Sequence, residues 1–157
     1  MIYIYNAGPL FTEAEVNQRL LEGKLLREIL EKSGKEYFLA NPLELPPRKE
    51  EGLLSAGIFA QDYAHIDKAN AFFFELASED SGTMVELGGA VEKFMQGKDI
   101  KIYPIFADIR LRNTFHEGTE CPKGFNSYVV GALTYNNIPI YTSYKDALEA
   151  FKKDFDL

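Results

Sequence analysis

The run Ala71-Phe72-Phe73-Phe74-Glu75-Leu76 constrains the fold more than any other stretch of the chain. Consecutive phenylalanines leave a strand no polar face, so it must be covered on both sides. A parallel sheet between two layers of helices offers that environment. The rest of the chain fits it. Residues 2–5 read as a short buried strand broken by Asn6-Ala7-Gly8-Pro9. Thr12 with Glu15 is a capping-box pattern, and it opens a helix to Ser33-Gly34. The apolar stripe of that helix reads as Val16, Leu20, Leu21, Leu25, Ile29 and Leu30. Strands are expected over 36–40, 71–76, 100–106 and 138–141, and helices over 55–68, 82–96, 125–133 and 144–155. Strand and helix thus alternate five times, which predicts a doubly wound five-stranded parallel sheet of order 2-1-3-4-5 with helices on both faces.

The chain has 157 residues, 46% of them hydrophobic and 26% charged, which suits one domain over 1–157 with a real core. A net charge of −7 argues against a nucleic-acid polymer as partner, since such binders need a basic face to displace counterions. It argues equally against a polybasic membrane-surface protein. No run approaches the roughly 18 apolar residues of a membrane span. No basic segment precedes the apolar opening MIYIYNAGPLF, so no signal peptide is expected. The single cysteine, Cys121, leaves no intrachain disulfide and points to a reducing, cytoplasmic compartment. His65 and His116 stand in no HExxH, HxH or Cys/His spacing, so no metal site is expected.

In a doubly wound sheet, ligands bind beyond the carboxyl ends of the strands. Here that edge carries residues 6–10, a Pro- and Glu-rich loop over 41–52, and residues 75–86. No GxGxxG follows the first strand and no GxxxxGK[ST] occurs, which disfavours dinucleotide oxidoreductases and P-loop enzymes. No GxSxG elbow is present, which disfavours a Ser-His-Asp hydrolase. Carboxylates remain. Glu86 falls near a helix start, where the dipole favours an ionised carboxylate that can serve as a nucleophile. Thr83-x-x-Glu86 is equally a capping box, with Asp80 or Ser81 as N-cap. Asp62 lies early in the helix before the central strand, and so near that strand's carboxyl end. It can share a pocket with Glu86, and paired carboxylates suit glycosidic chemistry. A solvated helix face is the plainer reading of Asp62. Tyr3, Tyr5 and the phenylalanine run read as core, His65 as a surface or capping residue, and Cys121 as inert.

Together these segments resemble the nucleoside 2-deoxyribosyltransferase family over most of the chain. Ala7-Gly8-Pro9-Leu10-Phe11 is similar to its N-terminal substrate-binding turn. Asp62-x3-Ile66-x3-Asn70 resembles the segment ahead of the central strand, and Asp80-x-Gly82-x3-Glu86-Leu87-Gly88 the most specific signature. Asn126-x4-Gly131 resembles a segment whose Asn is donated to a neighbouring subunit. The resemblance implies a flavodoxin-like sheet with no metal or organic cofactor. It implies 2′-deoxynucleosides and free nucleobases as substrates. Glu86 would be the nucleophile forming a covalent deoxyribosyl-enzyme, with net retention. Asp62 would handle the proton of the leaving base. Asp80, Gly8, Pro9 and Gly82 would bind substrate. Asn126 would complete the active site of a neighbour in a homo-oligomer, and Phe125, Tyr128, Val129, Val130 and Leu133 are expected to supply an apolar contact surface. Asn70 stands where several members have Asp, Pro9 where some have an aromatic residue, and the 108–123 segment is longer than in minimal members.

Two other functions compete. A related 2′-deoxynucleoside 5′-monophosphate N-glycosidase would use the same Glu86 but pass the sugar to water. That branch tends to carry Ser at the position of Asp80. A carboxylate there repels a phosphate by about 1 kcal/mol at 4 Å even in water, and more in a pocket. The other is a non-catalytic nucleoside or nucleotide sensor on the same scaffold, since fold does not dictate function.

Overall fold

Alternate residues of the central strands point to opposite faces, and each face has its own helices. The computed structural model describes residues 1–45, 54–77, 79–108 and 125–157. His116, Cys121, the later part of the Pro- and Glu-rich loop and nearly all of the 108–123 segment lie outside the described residues. The strands are β1 (Ile2–Ala7), β2 (Tyr37–Ala40), β3 (Ala71–Glu75) and β4 (Lys101–Ile105). The helices are α1 (Glu13–Ser33), α2 (Ser55–Ile66), α3 (Ser81–Met95), α4 (Ser127–Tyr135) and α5 (Tyr144–Asp154). All strand pairs are parallel, in the order β2-β1-β3-β4. On one face, Tyr3, Tyr5, Phe72 and Phe74 pack with Ile66, Leu87, Val91 and Leu133 of α2, α3 and α4. On the other, Ile4, Phe73 and Tyr103 pack with Leu26 and Leu30 of α1 and Phe151 of α5. This is why three phenylalanines stand in a row: the middle one faces α1 and α5, its neighbours the opposite layer. The arrangement is consistent with a flavodoxin-like fold.

Two expectations are corrected. The fifth strand is reduced, among the described residues, to one parallel bridge between Tyr141 and Ile105. Tyr141 N donates to the Pro104 carbonyl at 2.9 Å and Phe106 N to the Tyr141 carbonyl at 2.7 Å. Asn137 takes a positive φ of 55° just before, and Pro139 has no N–H to continue a ladder. The stripe of α1 is also rotated. Its buried residues are Arg19, Glu22, Gly23, Leu26 and Leu30, while Leu20 and Leu21 stay 42% and 49% exposed. The N-terminal half of α1 lies over the polar carboxyl edge of the sheet, so its inward face is polar there. The capping box at Thr12 is present with both of its hydrogen bonds, and Gly34 closes the helix at φ 67°.

Candidate active site

The start of α3 decides between the two readings of Glu86. Asp80 is the N-cap: its Oδ1 accepts from Thr83 N at 3.0 Å and its Oδ2 from the Thr83 hydroxyl at 2.7 Å. Thr83 is therefore inside the helix, and the expected Thr83–Glu86 capping box does not form. Glu86 stands in the second turn of α3, and its Oε1 accepts from the Tyr5 hydroxyl at 2.8 Å. Its other oxygen accepts no hydrogen bond from the described residues. Burial pushes the Glu86 carboxyl up to about 7; the Tyr5 hydrogen bond pulls it down, and Asp62 and Asp80 push it further up. Burial raises Asp62 as well. Tyr5 is fully buried. Burial first, and then the charge of Glu86, raise its phenol well above the ordinary value, so it remains a donor at neutral pH.

A cavity of about 210 Å³ at the carboxyl edge brings together Gly8, Asp62, Asp80, Gly82 and Glu86. An apolar groove of about 500 Å³ between α2 and α3 shares Asp62, Gly82 and Glu86 and is walled by Phe59, Tyr63 and Val85. Pro9 faces a different cavity, with Glu75 and Phe125. Asn126 is not brought to Glu86 within the chain: its Oδ1 caps α4 by accepting from Tyr128 N at 2.9 Å and Val129 N at 3.4 Å. Of the expected contact surface around it, Phe125, Val130 and Leu133 are buried in the chain's own core, whereas Tyr128 is 87% exposed. His65 lies in an edge stack, its Nδ1 2.7 Å from the Tyr3 hydroxyl and its ring against Phe38. A separate cavity of about 400 Å³ beside β4 and α5 contains none of the candidate residues. No group of three or more His, Cys, Asp or Glu among the described residues could hold a metal ion.

Sequence reasoning missed the residues that support this cavity. It read Tyr5 as core, and its ring is, but the hydroxyl reaches Glu86. It did not single out Asn6, Arg19, Glu22, Asn41 or Glu75. Arg19 Nη2 donates to Glu22 Oε1 at 2.9 Å and pairs with Glu75, and Nη1 donates to the Ala7 carbonyl at 3.2 Å. Glu22 also accepts from Gln18 at 2.9 Å and from Asn6 at 3.2 Å, and Asn6 Oδ1 accepts from the Tyr144 hydroxyl at 3.2 Å. Burial pushes Glu22 up to about 7 against the pull of these donors. One signal was available: Arg19 and Glu22 are in phase with Leu26 and Leu30, so charges continue an apolar stripe.

The family model of nucleoside 2-deoxyribosyltransferases matches residues 4–111, from β1 through all the candidate residues except Asn126. An uncharacterized protein of Ureaplasma parvum, UU063, is 29% identical over 153 residues, covering 94% of this chain and 92% of that protein. A conserved protein of Enterococcus faecalis has the same fold, with a TM-score of 0.73 at 22% identity over 98% of this chain and 99% of its own. A 2-deoxyribosyltransferase of Bacillus psychrosaccharolyticus aligns over 65% of this chain and 70% of its own, at 26% identity and a TM-score of 0.45.

Proposed function

The chain belongs to the nucleoside 2-deoxyribosyltransferase family, and on that premise we propose that it moves 2-deoxyribose between the nucleobases of 2′-deoxynucleosides through a covalent deoxyribosyl-enzyme on Glu86. The observation that carries this reading is the Glu86 carboxylate, held at one oxygen by Tyr5 in the wall of a cavity it shares with Asp62. In the first half-reaction Glu86 attacks C1′ on the face opposite the base. The electron pair of the C1′–N bond passes to the base nitrogen, and Asp62 supplies its proton. In the second half the nitrogen of a new base attacks C1′, the bond to Glu86 breaks, and Asp62 takes the proton. Two inversions give net retention. A half-buried Asp62 with a raised pKa suits a group that must hold and return a proton.

The lining of the cavity favours nucleosides over their 5′-monophosphates. Asp62, Asp80 and Glu86 are all on its wall. Arg19, the one cation among the described residues lining it, is already engaged by Glu22 and Glu75. Among the described residues, a phosphate would meet carboxylates with no free cation to offset them. Gly8 and Gly82 let substrate approach the backbone, and we assign Pro9 to the outer side of the same turn. We further propose that the Asn126 amide N–H₂, left free by its capping oxygen, donates at the site of a neighbouring copy in a homo-oligomer. A cytoplasmic setting and a role in nucleoside salvage belong to the same reading. No helix among the described residues is long and apolar enough to cross a membrane.

The test is incubation of a 2′-deoxynucleoside with a foreign free base, separated by chromatography. A new deoxynucleoside, and a sugar adduct on Glu86 by mass spectrometry after rapid quenching, are expected. Free deoxyribose alone would assign hydrolysis instead, and binding without turnover would assign a sensor.

A further inference from the structure

Among the described residues, one of the largest fully buried side chains is a charged one, Arg19, with only 2% of its side chain exposed. Its environment is built rather than incidental. The guanidinium joins three elements: α1, on which it sits, the end of β1 through the Ala7 carbonyl, and the end of β3 through Glu75. Its backbone carbonyl accepts from Asn41 Nδ2 at 3.0 Å, which ties in the segment after β2. Arg19 therefore spans three neighbouring strand ends where the sheet opens into the cavity. Arg19 Nε finds no partner among the described residues and Asn41 Oδ1 none either, so the bonds of Arg19 Nη1 and Nη2 and of Asn41 Nδ2 are what hold these side chains. Gly8 packs directly against this cluster. A Cβ at Gly8 would stand 2.4 Å from Arg19 Nη1 and 2.9 Å from Glu75 Cβ.

We propose that Arg19 is a positioning residue of the site, one that fixes the Ala7-Gly8 turn against β3 and so sets the cavity wall opposite Glu86 to nucleoside dimensions. The guanidinium is suited to this because its planar fork bonds the Ala7 carbonyl and two carboxylates at once, a pattern a lysine ammonium on a flexible stem does not reproduce. It acts on ligand binding through the turn and touches neither reacting atom. Glycine is required at position 8 because the turn lies on the guanidinium with no room for a side chain.

The inference takes its ligand, a 2′-deoxynucleoside, from the proposed function, and two separate readouts keep the two apart. Turnover by the wild-type protein tests the transferase. Binding of 2′-deoxyadenosine, measured by calorimetry in a Glu86→Gln background that does not consume it, tests Arg19. Adding Arg19→Lys is expected to weaken that binding by at least about tenfold. In the protein with Glu86 intact, Arg19→Lys should raise KM by a similar factor while kcat changes less than about threefold and the acidic limb of kcat stays in place. Gly8→Ala should also raise KM, and by less in the Arg19→Lys background, where Nη1 is gone. Unchanged binding and KM in Arg19→Lys, with only a lower melting temperature, would overturn the proposal and leave Arg19 a structural ion pair. A loss confined to kcat would overturn it too. Absence of turnover in the wild type, with binding still dependent on Arg19, would sink the transferase and keep the positioning role; absence of both wild-type turnover and nucleoside binding would sink both.

Discussion

Glu22, which is buried, and Glu86, which is half-buried, are carboxyls both raised to about 7, and they lie on opposite faces of the same strand end. Asn6 of β1 reaches Glu22, and the preceding residue, Tyr5, reaches Glu86. What surrounds the two groups differs. Glu22 accepts from Gln18, Asn6 and Arg19, so its oxygens are occupied by donors. Glu86 accepts from one phenol, has two carboxylates for neighbours, and opens on a cavity. A displaced pKa therefore says little about role. The occupied carboxylate is built to stay where it is, and the one with a single donor keeps a lone pair for chemistry.

The comparison breaks most sharply under amide substitution. Glu86→Gln should lower transfer by about 10³-fold or more, since a nucleophile is lost. Glu22→Gln, which keeps an acceptor for the same donors, should stay within about tenfold. Equal losses in steady-state assays would erase the distinction. Asp62→Asn comes next, with an expected loss of about 10²-fold in kcat, smallest for bases that leave without protonation. A loss independent of the leaving base would remove Asp62 from proton transfer. Tyr5→Phe should cost about 10- to 100-fold, the value of a hydrogen bond to a charged group. It should also move the pH profile. Glu86 must be ionised to attack, so the wild-type rate should fall as pH drops through about 7. The Tyr5 hydrogen bond lowers that pKa, so its removal should shift the acidic limb to higher pH. Asp80→Ser should leave the fold near wild type, because Ser is also a good N-cap. It should raise turnover of 2′-deoxynucleoside monophosphates relative to nucleosides by about tenfold. No change in that ratio would discount the electrostatic argument against phosphate.

The smallest effect is on stability. The folded protein retains a proton on Glu86 that an unfolded chain has released, between the ordinary value of 4.5 and about 7. This contribution is fully present below about 4.5 and is lost as pH rises through about 7. Glu86→Gln should therefore raise stability near pH 8 by about 1–3 kcal/mol, with the gain shrinking toward pH 5. Glu22→Gln should give no such gain, because it removes the negative charge that pairs with the buried Arg19 guanidinium. Thermal melts at the two pH values separate the cases.

The readable parts of the site were those encoded locally. Asp80 and Thr83 are three residues apart, and a cap at that spacing is visible without the fold. The alternation of elements placed Asp62 and Glu86 at one sheet edge, and the cavity does join them. What misled was local pattern where a distant element competes. Leu20 and Leu21 looked like the inner face of α1, but the sheet edge beneath that half of the helix is polar, so Arg19 and Glu22 turn inward. The 138–141 segment has strand-like residues, but pairing depended on a donor that Pro139 lacks.

The sequence by itself determined that a central strand would be buried on both faces, that helices would flank it, and that carboxylates would gather at its carboxyl end. Those follow from periodicity and chain order, which act over a few residues. Only the tertiary structure decided that Tyr5 holds Glu86 and that Arg19 ties β1 to β3. Those contacts join residues 81 and 56 positions apart. No local pattern encodes them, because they depend on strand order and register, which set which side chains meet at the edge.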